Sequence, residues 1–187
     1  MIQQEFTDIY YSKLVYDAAT KTETICLVKN VASSTDSNAF LPLVSKCQEL
    51  KVTKYLQPRV SAFSSATLVV NNFTPIYVTV SGTVTVVPTD AVDGVQKEIN
   101  NGLSIFLSPW ITASQQQIEI DSGLQASQVA SFIKTFDSVL DVEGITLQKT
   151  DSSGQTIDDT SNNNIEQEMY LLVPNSNQNI TYQWPQS

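Results

Sequence analysis

The sequence predicts an α+β fold: two small β-α-β type layers with helices packed on one face of mixed or antiparallel sheets. Ile76, Val78, Val80, Val84 and Val86 alternate with Tyr77, Thr79, Ser81, Thr83 and Thr85, the period-2 pattern of a strand with one buried face. Val92, Val95, Ile99, Leu103 and Phe106 follow at helical spacing and form one apolar stripe. Strand and helix signals alternate along most of the remaining chain, interrupted by a hairpin.

Taken in order, residues 8–16 and 22–28 are rich in Thr, Tyr and branched side chains and read as two strands joined by a turn over 17–21. Residues 33–38 are a polar loop in which Ser37 or Asn38 is placed to cap the next helix. On that helix Leu43, Cys47 and Leu50 share one face, with Lys46, Glu49 and Lys54 mostly on others, and it should stop before Pro58. A short strand at 67–70 completes a β-α-β unit, and 71–75 leads into the long strand at Ile76. Past Pro88, Asp90 is the expected N-cap of the second helix and Asp93 sits in its first turn, where the helix dipole favours a negative charge. Ser108-Pro109 stops that helix, because proline lacks the N–H and disfavours a helical residue before it. Residues 117–120, 127–136 and 144–147 then read as strand, helix and strand. The polar stretch 151–168 lacks an apolar period and is expected to be a flexible loop; 169–173 and 180–184 are expected to form a terminal strand pair. The resulting division is 1–72, 73–150, 151–168 and 169–187.

Composition narrows the function. At 187 residues and 41% apolar, the chain can bury a core. A net charge of −9 with ten scattered basic residues argues against binding a phosphate backbone. No run approaches the roughly 18 apolar residues of a membrane span, and Met1-Ile2-Gln3-Gln4-Glu5 lacks the look of a signal peptide, so a cytoplasmic location is expected. Cys26 and Cys47 fall in a strand and a helix and are expected to pack as reduced thiols.

Catalysis is not expected. The chain has no histidine, which removes the usual general base, the partner of a Ser or Cys nucleophile and the commonest transition-metal ligand. Carboxylate pairs remain in Asp90/Asp93, Asp137/Asp141 and Asp158/Asp159, but a glycosidase needs two facing each other across a sugar, and Asp90 and Asp93 read instead as cap and first-turn residue, the 151–159 loop as a solvated turn. The run from Asp151 to Asp159 offers oxygen ligands but departs from the EF-hand loop, with Ser153 third and glycine fourth instead of sixth. The six glycines form no phosphate-cradling loop, and no cofactor or metal is expected.

The ordered series Cys47-Gln48-Glu49-Leu50-Lys51, Lys54-Tyr55-Leu56-Gln57-Pro58-Arg59-Val60-Ser61, Phe73-Thr74-Pro75-Ile76-Tyr77 and Phe106-Leu107-Ser108-Pro109-Trp110-Ile111 resembles the C-terminal part of the baseplate J-like family. These are wedge proteins of contractile phage tails and phage-tail-like injection systems. The likeness continues through Ile118-Glu119-Ile120, Ser127 and Phe132-Ile133 and covers roughly residues 22–147. It implies a structural baseplate component without enzymatic activity, resident in an assembled particle, whose partners are other baseplate subunits and copies of itself. Family members are usually longer at the N-terminus. A carbohydrate- or peptide-binding, adhesin-like module is the alternative, on the Tyr-, Thr- and Asn-rich strand faces. Under the baseplate reading the candidate interface residues are Trp110 with Ile111 beyond the helix stop, and Tyr182 with Trp184 on the terminal strand. For Trp110, closing the core over the helix end is the favoured role.

Overall fold

The computed structural model describes residues 2–31, 40–59, 66–88, 92–111, 124–157 and 169–185. It is an α+β protein that divides into two compact units. One comprises Met1–Thr74, Pro109–Asp121 and Ser161–Leu171, the other Pro75–Ser108, Ser122–Thr160 and Leu172–Ser187.

In the first unit the short helix α1 (Ile2–Glu5) leads into β1 (Ile9–Asp17), which pairs antiparallel with β2 (Thr22–Lys29). Asp17 closes the hairpin turn, its carboxylate accepting from the Ala19 N–H at 2.8 Å and the Thr20 hydroxyl at 2.7 Å. The chain then crosses through α2 (Lys46–Leu56) to β3 (Thr67–Asn72), which lies parallel to β2, so the sheet order is β1-β2-β3.

The cap and the buried face of α2 differ from the sequence reading. Ser45 is the N-cap: its hydroxyl accepts from the Gln48 N–H at 3.3 Å while Gln48 Oε1 accepts from the Ser45 N–H at 2.8 Å, a reciprocal capping box. Ser37 and Asn38 lie outside the described residues. The helix buries Glu49, Val52 and Leu56, whereas Leu43, Cys47 and Leu50 are exposed. Val52 and Leu56 join Ile9, Ile25, Leu27, Val44 and Val70 in one core, each large side chain contributing about 1.5–3 kcal/mol by burial. This orientation carries Glu49 inward, at the N-terminal end of the same face. Its charge is accommodated because Asn72, at the end of β3, donates to Glu49 Oε1 at 2.8 Å and Lys46 pairs with Oε2 at 2.5 Å. Asn72 also accepts from the Val44 N–H at 2.7 Å and donates to the Val44 carbonyl at 3.0 Å, so one side chain clamps the helix entrance. Across the sheet, Val15, Cys26 and Val28 are buried on the opposite face, and burial pushes the Cys26 thiol up to about 11.

The second unit is built on β4 (Thr74–Val86), the longest strand. It pairs antiparallel with β5 (Val139–Thr150), which begins five residues before the expected 144–147 strand. The terminal strands also take a different form from the expected pair. Both β6 (Tyr170–Pro174) and β7 (Asn179–Gln183) bond β4, the latter in parallel register from Ser81↔Asn179 to Thr85↔Gln183. Neither short strand has a sequence signal for its partner, and β4 is long enough to take both. A Cβ at Gly82 would come within 2.6 Å of Ile145 Cδ1 and 3.0 Å of the Glu143 carbonyl, so glycine lets β4 and β5 close at their register shift.

Helix α3 (Val92–Phe106) follows the predicted stripe, with Ile99 and Leu103 at 0% exposure, as are Val78, Val80 and Val84 of β4. Its last turn tightens, Leu107 N–H donating to Leu103 at 2.9 Å and Ser108 N–H to Ile105 at 3.0 Å, immediately before Pro109. Asp90 lies outside the described residues, as does the expected 117–120 strand. Helix α4 (Ala126–Ile133) packs on α3 through aromatic rings. Phe106 stacks on Phe132 at 4.3 Å and Phe136 meets Phe132 edge-on at 5.5 Å. The Phe136 ring lies over Gly102, where a Cβ would sit 2.5 Å from Cζ. Phe106 therefore ends the stripe at a half-exposed rim.

The polar stretch after β5 is structured at its start. Asp151 Oδ1 accepts from Ser153 N–H at 2.8 Å and Gln155 N–H at 2.9 Å, and Ile157 N–H donates to the Lys149 carbonyl at 2.9 Å. Residues 151–157 thus form a hydrogen-bonded turn in place of the expected flexible loop, because an aspartate satisfies successive N–H groups locally. Residues 158–168 lie outside the described residues.

Candidate functional site

The residues singled out from the sequence fall into different environments. Trp110 is 1% exposed, a core residue of the first unit. The chain turns through 109–111 beyond the helix stop, and the Pro109 carbonyl accepts from the Tyr10 hydroxyl at 3.4 Å. A side chain so enclosed offers no surface to a partner, so of the two roles weighed for Trp110 the structure shows the favoured one, core burial, and removes it from the interface candidates; Ile111 beside it is half-buried.

The terminal strand is arranged differently. Tyr182 is half-buried on β7, and its hydroxyl donates to Asn100 Oδ1 on α3 at 3.1 Å. Burial pushes its phenol up to about 12. Tyr182 therefore pins β7 to the helix layer. Trp184, just past the strand, is 40% exposed and presents a large ring to solvent.

The link between β6 and β7 holds its place by side-chain hydrogen bonds that the sequence reading missed. Asn175 N–H donates to the Val78 carbonyl at 2.9 Å, and Asn175 Nδ2 donates to Thr79 Oγ1 at 2.9 Å. Gln178 Oε1 accepts from the Val80 N–H at 2.6 Å, and Gln183 Nε2 donates to Thr85 Oγ1 at 3.2 Å. The Asn175 N–H and the Gln178 side-chain oxygen thus continue the bonding along β4 between β6 and β7. The run Asn175-Ser176-Asn177-Gln178 reads as a turn from sequence, which hid this role.

Two carboxylates, Asp141 and Asp151, are engaged structurally. Asp141 accepts from the Val142 N–H at 2.8 Å and pairs with Lys134 at 3.1 Å, and these hold its carboxyl below the usual range, the backbone bond most strongly. Ser153 and the backbone amides of the turn lower Asp151 in the same way. Asp158 and Asp159 lie outside the described residues. Among the described residues no group of three His, Cys, Asp or Glu side chains is placed to hold a metal ion, and no helix is long and apolar enough to cross a membrane.

What the described surface does offer is exposed apolar side chains on regular elements: Leu14 and Tyr16 on β1, Leu50 on α2, Leu140 on β5, and Trp184. Single exposed apolar residues are ordinary.

No protein-family profile matches the chain, and no curated protein matches it. Among solved structures, it is similar to a chain of the anti-feeding prophage (AFP) baseplate, determined by cryo-EM and 6-fold symmetrised. The TM-score is 0.66 at 14% identity, over 94% of this chain and 35% of that one. The chain therefore spans about a third of the length of its structural neighbour and shares a fold with that part of it.

Proposed function

We propose that the chain is a structural component of the baseplate of a contractile, phage-tail-like injection apparatus, acting as a wedge piece that works by assembly. The observation that carries this reading is the likeness of fold, over nearly the whole chain, to part of a baseplate chain. The ordered motif series from Cys47 to Ile133 supports the same reading from an independent direction. A wedge role requires no catalytic group, and a chain without histidine is consistent with that. Partners in this reading are neighbouring baseplate subunits, met through exposed side chains such as Trp184, and the finished location is the assembled particle.

The test is recovery of an epitope-tagged chain in purified contractile particles, with labelling at the baseplate end. Absence of the chain from intact, contractile particles would overturn the proposal. Within it, Trp184→Ala is expected to leave the melting temperature nearly unchanged while lowering incorporation, because an exposed ring contributes to partners rather than to the fold. Loss of folding would make Trp184 a core residue, and full incorporation would remove it from the interface.

A further inference from the structure

Strands β6 and β7 both bond β4, but they are held there by different forces. In β6 the side chains of Leu171, Leu172 and Val173 are buried, so lifting this strand would transfer three large apolar groups to water. In β7 no side chain is buried. Ile180 and Tyr182 are half-buried, while Asn179, Thr181 and Gln183 are exposed. What fixes β7 is polar: the parallel ladder from Ser81↔Asn179 to Thr85↔Gln183, the Tyr182 hydroxyl on Asn100 at 3.1 Å and the Gln183 amide on Thr85 at 3.2 Å. Water replaces such bonds when a strand lifts, so each holds the closed form by only about fivefold.

The two strands are joined by a hinge. Asn175 is anchored to β4 twice, its N–H donating to the Val78 carbonyl and its side-chain amide to Thr79 Oγ1, each at 2.9 Å. Gln178 takes up the Val80 N–H through its side chain. Ser176 and Asn177, between these two anchors, are exposed. The firmly held part of the edge therefore ends at Asn175, and the part beyond Ser176 is tied on by hydrogen bonds alone except for two half-buried side chains.

We infer that β7 is a releasable strap: residues 178–184 detach from β4 as one unit about the hinge at Ser176 and Asn177, while β6 stays in the sheet. Release uncovers the backbone edge of β4 from Ser81 to Thr85, which the closed strap protects. It also frees Trp184, whose ring is already 40% exposed. An extended segment from Asn179 to Trp184 lets that ring sweep a radius of up to about 20 Å around the hinge. The strap thus converts Trp184 from a fixed surface group into a tethered one. The inference goes beyond the baseplate reading and does not depend on it, since opening is a property of the purified chain.

Native-state hydrogen exchange of the full chain, followed by NMR in low urea, tests it. The ladder amides of β7 are expected to exchange more than about tenfold faster than those of β6 and of the β4–β5 ladder, and with a weaker dependence on urea, as a local opening requires. Rates within about tenfold of the β4–β5 amides, with the same urea dependence, would mean that β7 leaves only when the sheet unfolds and would overturn the inference. The double substitution Ile180→Pro/Thr181→Pro tests the open form directly. Alternate residues of a strand donate to its neighbour, so proline at two consecutive positions removes at least one ladder bond and holds the strap off. The variant is expected to keep a cooperative thermal transition and slow exchange in β5 and β6, with protection lost from Asn179 onward. A variant that fails to fold, or that loses protection in β6 as well, would also overturn the inference. None of these results bears on whether the chain enters particles.

Discussion

Helices α2 and α3 each cover a sheet, yet they choose their buried faces by different physics. On α3 the apolar stripe decides: Ile99 and Leu103 are fully buried, and the exposed positions between them are polar. On α2 two apolar residues, Val52 and Leu56, compete with another apolar set, Cys47 and Leu50, and the face that wins also buries a carboxylate. The outcome on α2 depends on Asn72, which is distant in sequence and supplies three hydrogen bonds at the helix entrance. A helix with one good stripe is specified locally, whereas a helix with two is specified by what its polar residues meet.

The strongest way to break this contrast is Ile99→Asp. A charge placed where the side chain is fully enclosed has no partner, and the second unit is expected to lose its cooperative thermal transition, at a cost above about 4 kcal/mol. An unchanged melting midpoint would mean that α3 is not held by its stripe. Next comes Asn72→Ala, which strips Val44 and the buried Glu49 of their partner and is expected to cost about 2–3 kcal/mol in urea denaturation. A negligible cost would place the choice of face in Val52 and Leu56 alone.

A pH series sharpens the comparison from the α3 side. The phenol of Tyr182 is raised from 10.0 to about 12 in the folded state, so the stability it confers is whole below pH 10 and is lost as pH rises from 10 towards 12. The unfolded chain ionises first and draws the equilibrium its way. Melting temperatures at about pH 9 and about pH 11 are expected to fall further for the wild type than for Tyr182→Phe, which has no proton to lose. The smallest effect is expected from Leu50→Gln, on the rejected face of α2, at within about 0.5 kcal/mol of the wild type in the same urea assay. A large loss there would show that Leu50 is packed in solution.

What was legible in the sequence follows the same division. The β1–β2 hairpin, the β2–α2–β3 unit, the long β4 and the α3 helix with its stop before Pro109 are set by short-range periodicity and by turn chemistry, and these could be read. The face of α2 could not, because Glu49 is paired by Asn72 from 23 residues away. The partner of the terminal strands could not, because five-residue strands leave no register signal. Among the interface candidates, the sequence placed Trp110 at the helix exit, but only packing shows it to be enclosed, and only the hydroxyl of Tyr182 shows that residue tied to Asn100.

The shared edge of β4 also has a consequence in time. Val84 pairs with Tyr182, so during synthesis the valine-rich edge of β4 leaves the ribosome almost a hundred residues before β7 can cover it. Over that interval β4 is an unprotected template for pairing with any neighbouring nascent chain. The β1-β2-β3 sheet, whose strands all lie within Ile9–Asn72, is complete in sequence before β4 begins and can pair first. Crowding many copies at one polysome therefore endangers the β4 sheet more than the β1-β2-β3 sheet, and slower elongation before the final strands would lengthen the exposure.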